Sequence, residues 1–260
     1  MEPLPIVFVS HGSPSLAIEP SPARDFLEQL GGELGQPEAI VCISAHWASA
    51  APAVSGAARP ATIHDFYGFP EELYQLSYPA PGAPQIAKRV MDLIRGAGFE
   101  SGLDSARGLD HGAWSPLRLM YPDALIPVIQ VSLQPQLGPA HHFALGQALA
   151  ALRAEGILVL GSGGATHNLG QIRGRENLPA PQWVSAFADW LTAAIVEGRS
   201  GDLINYRSRA PYAAQNHPSE EHLLPLMVAA GAAGVGARGR CLHASYTYGV
   251  LSMASYAFGT

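Results

Sequence analysis

The 260-residue sequence is poor in charge, in cysteine and in long apolar runs. Charged residues make up 14% of it, the net charge is −6 and no basic run occurs, which argues against nucleic acid as a partner. Its two cysteines, Cys42 and Cys241, each sit in an apolar, strand-like run, so both are expected as reduced core thiols rather than a disulfide. No run approaches the roughly 18–20 apolar residues of a membrane span. Met1-Glu2-Pro3-Leu4-Pro5 has neither the basic start nor the apolar stretch of a cleavable signal peptide. The expectation is a cytoplasmic chain with no nucleic-acid and no membrane partner. Internal repeats, low-complexity tracts and domain linkers are also missing, so residues 1–260 read as a single domain.

Apolar residues and histidine are abundant. Hydrophobic residues reach 48%, enough for a large core. Ten histidines stand against 15 Lys plus Arg. Imidazole is a common metal ligand and the side chain that titrates near neutral pH, so the position of each histidine matters.

Short β-branched runs alternate with helical patterns. Ile6-Val7-Phe8-Val9, Ala39 to Ser44, Ile126 to Leu133 and Ile157-Leu158-Val159-Leu160 read as buried strands. Residues 22–31, with Ser21 as N-cap, Pro84 to Ala97, His141 to Glu155, Gln182 to Glu197 and Glu220 to Ala230 read as helices. Arg240 to Tyr246 and Leu251 to Phe258 read as closing strands, with a hairpin across Tyr248-Gly249. The fold class is therefore α/β, with a mostly parallel or mixed central sheet flanked by helices. The Pro-, Gly- and aromatic-rich segment 48–81 reads as a long loop of the functional kind.

His11 follows the first strand, His46 the second, and His167 lies past the fourth beyond Gly161-Ser162-Gly163-Gly164. Ligands of open α/β sheets bind outside the carboxyl ends of the strands, so these three histidines are expected to share one cleft. The Gly-Ser-Gly-Gly turn lacks the order of a phosphate loop. It reads as a place where backbone passes close to the site.

Six segments then occur in order: Ser10-His11-Gly12-Ser13-Pro14, Ser44-Ala45-His46-Trp47, Thr62-Ile63-His64-Asp65-Phe66, Asp110-His111-Gly112-Ala113-Trp114, His167-Asn168-Leu169 and Glu221-His222-Leu223-Leu224-Pro225-Leu226. Together they resemble the class III extradiol ring-cleavage dioxygenases of the LigB type, in the DOPA 4,5-dioxygenase-like branch. The resemblance covers essentially the whole chain. It implies an enzyme that opens a small aromatic diol, a catechol, with O2 at a non-haem Fe(II), with Zn(II) an alternative metal as isolated. Carried over, His11, His46 and His222 are the metal ligands. His167 is the acid/base or a fourth ligand, and His111 lines the pocket as a second catalytic residue. His64, Trp47 and Trp114 are expected against the substrate. A three-histidine site also suits catalytic zinc, so a zinc hydrolase stays open as an alternative, as does a non-catalytic interaction protein of this fold. Nothing in the sequence names the particular catechol or sets an oligomeric state.

The other histidines read as structural. His141 and His142 are expected to be solvated at a helix start, His217 to be a loop residue and His243 a core residue. Trp183 and Trp190, seven apart on one helix, read as packing.

Overall fold

The computed structural model describes residues 3–172 and 179–259. Met1 and Glu2, part of the amino-terminal segment read above, lie outside the described residues. Strand β1 (Ile6–Ser10) leads through α1 (Pro22–Leu34) to β2 (Ala39–Ser44), and every residue of both strands is buried. Covered on both faces, such strands carry continuous apolar runs rather than alternation. Ser21 caps α1 as expected, its Oγ accepting from Arg24 N at 3.2 Å.

The segment 48–81 is not a bare loop. It contributes β3 (Ala53–Ser55), which pairs in parallel with β4 (Gly102–Asp104), and the single helical turn α2 (Glu71–Tyr74). Helix α3 (Pro84–Gly96) then precedes α4 (His111–Met120), a helix the sequence reading lacks. Gly112 and Pro116 hide it, since both are poor helix interiors. Asp110 starts it, accepting from Ala113 N at 3.2 Å. Pro116 has no N–H, so the Gly112 carbonyl one turn back is left without its helical donor.

β5 (Val128–Gln130), α5 (Gly138–Leu149) and β6 (Ile157–Gly163) follow. After α6 (Gln182–Val196) come three short helices, α7 (Ser200–Ile204), α8 (Tyr206–Arg209) and α9 (Ala213–Asn216), and then α10 (Leu224–Ala233). The expected closing strands break into β7 (Gly239–His243), β8 (Tyr246–Thr247), β9 (Leu251–Ser252) and β10 (Ser255–Phe258). β8 and β9 form the hairpin across Tyr248 and Gly249, which take φ of 54° and 70°.

The main sheet has the order β5-β2-β6-β1-β10-β7. The first four strands are parallel, β10 runs against them, and the edge strand β7, antiparallel to β10, runs with them again, so the sheet is mixed. The carboxyl ends of β1, β2 and β6 therefore lie side by side. Among the described residues no helix is long and apolar enough to cross a membrane.

Three expectations need correction. Cys42 is buried, but Cys241 is exposed, because β7 is the sheet's edge strand. His142 is fully buried rather than solvated: Nδ1 donates to Gly138 O at 2.7 Å and Nε2 accepts from Gln134 N at 3.1 Å, which ties down the start of α5. His243 is only partly buried, its ring stacked on Phe26 at 4.8 Å. His217 is buried and bonds the Ala165 carbonyl at 3.0 Å, in keeping with a structural role.

Helices α5 and α10 touch through glycine. A Cβ on Gly231 would overlap the Phe143 carbonyl, and one on Gly146 would overlap the Val228 carbonyl. Gly231→Ala is therefore expected to force the two helices apart and cost about 1–3 kcal/mol. Chemical denaturation of the variant measures this, and a wild-type midpoint with an unchanged slope would refute the close-contact argument.

Candidate metal centre

His11 is the residue after β1, and its N–H donates to Gly163 O at 3.0 Å. His46 lies two residues past β2, its N–H held by Ser44 Oγ at 3.1 Å. His222 sits just before α10. Its carbonyl accepts from Gly164 N at 2.8 Å, and a Cβ on Gly163 would overlap that carbonyl. Gly161, Ser162 and Gly163 end β6 rather than forming the expected turn, and Gly163 admits the backbone of His222. Gly112 does the same on the other side: a Cβ there would meet His46 Cδ2 at 2.9 Å and His11 Cε1 at 3.2 Å.

The ligand atoms of His11, His46 and His222 all lie within 4.8 Å of one another. Nε2 of His11 and Nε2 of His46 are 3.1 Å apart. Two imidazoles on one tetrahedral metal, with bonds of about 2.0–2.1 Å, stand about 3.3–3.4 Å apart, so the spacing fits a shared ion.

The outer nitrogens decide where the protons are. Ser162 Oγ gives its one proton to the Gly112 carbonyl, so it accepts from Nδ1 of His11 at 3.0 Å. Glu221 Oε1 lies 3.0 Å from Nδ1 of His222, and Asp65 Oδ2 lies 3.5 Å from Nδ1 of His46. With these partners the Nδ1 atoms carry the protons and the Nε2 lone pairs point inward. Burial, reinforced by the neighbouring imidazoles, holds His11 and His222 well below the usual histidine range and lowers His46 to about 4. All three are neutral at pH 7. Two lone pairs at 3.1 Å with no proton between them repel, and a cation resolves that repulsion. The donor set therefore fits a metal ion.

His111 opens α4. Its backbone N–H donates to Asp65 Oδ1 at 2.9 Å, and its Nδ1 is 3.0 Å from the same oxygen without hydrogen-bond alignment. Burial alone raises the Asp65 carboxyl, but contact with His111 and then His46 outweighs it and holds the group at about 2. His167 lies face to face with His222, ring centroids 3.3 Å apart, and burial lowers it against the pull of Glu221. It stands beside the three-histidine group and shares a second cluster with Glu221 and His222.

Behind the site lies a buried carboxylate. Asp110 accepts from Ser44 Oγ at 2.6 Å, Arg107 Nη2 at 2.6 Å and Gln130 Nε2 at 2.8 Å. In front lies a cavity of about 510 Å³. Four of the histidines, His46, His111, His167 and His222, line it, with Phe66, Tyr67, Phe69, Leu169, Ile172 and Leu251 as walls.

Comparison with known proteins accords with this geometry. Residues 5–259 match the family described as the catalytic LigB subunit of aromatic ring-opening dioxygenase. The chain belongs to the LigB family. It is 46% identical over 255 residues to the 4,5-DOPA dioxygenase extradiol of Beta vulgaris, covering 96% of this chain and 95% of that protein. It is 39% identical over 233 residues to the protein of the same name from Escherichia coli (strain K12), covering 88% and 85%. The crystal structure of an uncharacterized protein from Escherichia coli K12 superposes with a TM-score of 0.82 at 32% identity, covering 98% of this chain and 100% of that one.

In this LigB-family chain the structure brings His11, His46, His222, His111 and His167 together. His64, Trp47 and Trp114 are not among the residues that line the cavity. His64 donates to Leu76 O at 3.0 Å, and fully buried Trp114 donates to Ile63 O at 2.9 Å, both supporting Phe66 from behind. Trp47 lies under the Arg107 guanidinium at 5.0 Å. Sequence reasoning assigned no role to Asp65, Phe66, Ser162 or Glu221. Three of the four stand next to a histidine or within a quoted motif, which was the available signal.

His11→Ala, His46→Ala and His222→Ala are each expected to lower retained Fe(II) or Zn(II) by at least about tenfold, measured as metal per chain after dialysis. Near-stoichiometric metal in all three would sink the ligand set. Asp110→Ala, which strands the Arg107 charge, is expected to cost about 3–5 kcal/mol in denaturant unfolding.

Proposed function

We propose that this protein opens the ring of a DOPA-like catechol with O2, at an Fe(II) ion held by His11, His46 and His222. One observation carries the reading: three neutral imidazoles converge, and two of them, His46 and His222, open onto a cavity walled by aromatic and aliphatic side chains. Fe(II), when bound, supplies open coordination positions for the catechol oxygens and O2, together with the electrons that Zn(II), on the same donors, lacks. Residues 1–260 act as one catalytic domain, a reading supported by a sheet that pairs β1 with β10 from the opposite end of the chain.

The chain's own residues do the rest. Phe66, Phe69, Leu169 and Leu251 hold the ring and keep water away. No charged side chain is among the described residues that line this cavity, so it suits a neutral aromatic ring. His167, neutral through burial, takes a catechol hydroxyl proton as the substrate docks and returns it when the ring opens. His111, anchored by Asp65, places a second imidazole at the same face.

The test is O2 uptake by protein loaded anaerobically with Fe(II) and given DOPA or 4-methylcatechol. One O2 is expected per ring opened, with a coloured semialdehyde product, and none from Zn(II)-loaded protein. No uptake with either catechol from Fe(II)-loaded protein would overturn the reading. His167→Ala and His167→Gln are each expected to lose about 10²–10⁴-fold in turnover while keeping their metal. Loss of metal instead would make His167 a fourth ligand, and near-wild-type turnover would move the base to His111.

A further inference from the structure

The cavity over the histidines adjoins a second space of about 200 Å³. Ser13, Ser15 and Tyr248 are walls of both. The two differ in chemistry. The larger has no charged lining residue among those described, whereas the smaller is lined by Glu19 and by the hydroxyl-bearing residues Ser13, Ser15, Ser21, Tyr246, Thr247 and Tyr248. Among the described residues Glu19 is its one charged lining residue. The carboxylate is partly buried, and among the described residues no side-chain hydrogen bond or ion pair engages it. The nearby base Arg24 is already committed, to Ala17 O at 2.8 Å and to Glu28 at 3.0 Å.

The wall between the two spaces is built at a conformational cost. Tyr248 holds φ at 54°, a left-handed conformation rarely taken by a bulky residue, at the turn of the β8–β9 hairpin. Its side chain stands where the two spaces meet. Tyr246, on the same hairpin, is pushed up by burial and by the nearby Asp189 carboxylate. A carboxylate, hydroxyl oxygens and two tyrosine rings, with no lysine or arginine among the described lining residues, make an environment for a cation.

We propose that this side space is the subsite for a cationic substituent on the ring, an ammonium, and that Glu19 selects it. The proposal rests on the ring-opening reading, because a ring held over the histidines directs its substituent past Ser13, Ser15 and Tyr248. Glu19 touches the substituent and not the reacting atoms, so it determines specificity rather than chemistry.

The experiment compares two probes on Fe(II)-loaded protein under anaerobic conditions. The probes are 4-(2-aminoethyl)catechol and 4-propylcatechol, which place an ammonium or a methyl on the same two-carbon arm. Their dissociation constants are measured by calorimetry for the wild type, Glu19→Gln and Glu19→Lys. The ratio favouring the amine is expected to fall about fivefold in Glu19→Gln and further in Glu19→Lys. A ratio unchanged across the three proteins overturns the proposal. O2 uptake on the same samples reads the chemistry separately. If neither probe is opened while the ratio still shifts, the subsite stands and the ring-opening reading falls.

Discussion

The centre depends on one buried carboxylate. Asp110 accepts from Ser44 at the end of β2, from Arg107, from Gln130 on β5 and from the first turn of α4. Each bond fixes something the site uses. Ser44, held by Asp110, fixes the backbone of His46. The start of α4 sets the places of His111 and Gly112. A carboxylate this deep costs several kcal/mol to desolvate and is tolerated only because its lone pairs are filled. The same saturation gives the centre a single arrangement.

Much of this was legible in the sequence. Buried strands announced themselves as continuous apolar runs, and the residues just past β1 and β2 had to fall at one edge of the sheet. His11 and His46 follow from that rule alone. His222 does not, since it precedes a helix, and only its motif pointed to it. α4 was hidden because Gly112 and Pro116 contradict helix propensity, each for a reason found only in three dimensions. The cavity wall was misplaced for a related cause. An irregular segment has no period, so nothing in Thr62-Ile63-His64-Asp65-Phe66 says that Asp65 and Phe66 face the histidines while His64 turns to the Leu76 carbonyl. The edge position of Cys241 and the burial of His142 were invisible because strand order and helix docking are not written locally.

Glycine sets the distances. At Gly112 and Gly163 the missing Cβ is what allows a neighbouring chain or imidazole to approach. At the end of β6 glycine therefore works by close approach and serine by hydrogen bonding: Ser162 fixes which nitrogen of His11 carries the proton. Glu221 serves His222 in the same way, and the Asp65 carboxylate lies 3.5 Å from Nδ1 of His46, so the inward lone pairs are a property of the surrounding oxygens as much as of the histidines.

Pro116 shows how far such a dependence reaches. By helix rules it is a defect, and an alanine in its place would restore a backbone donor and strengthen α4. That donor would compete for the Gly112 carbonyl, which now accepts from Ser162. A Ser162 hydroxyl released from Gly112 could donate to Nδ1 of His11 instead of accepting from it, turning the imidazole's lone pair away from its partners. In this fold a helical donor missing from α4 leaves a carbonyl free for the serine that orients a neighbouring ring, and a sequence tuned for stability alone would fill it.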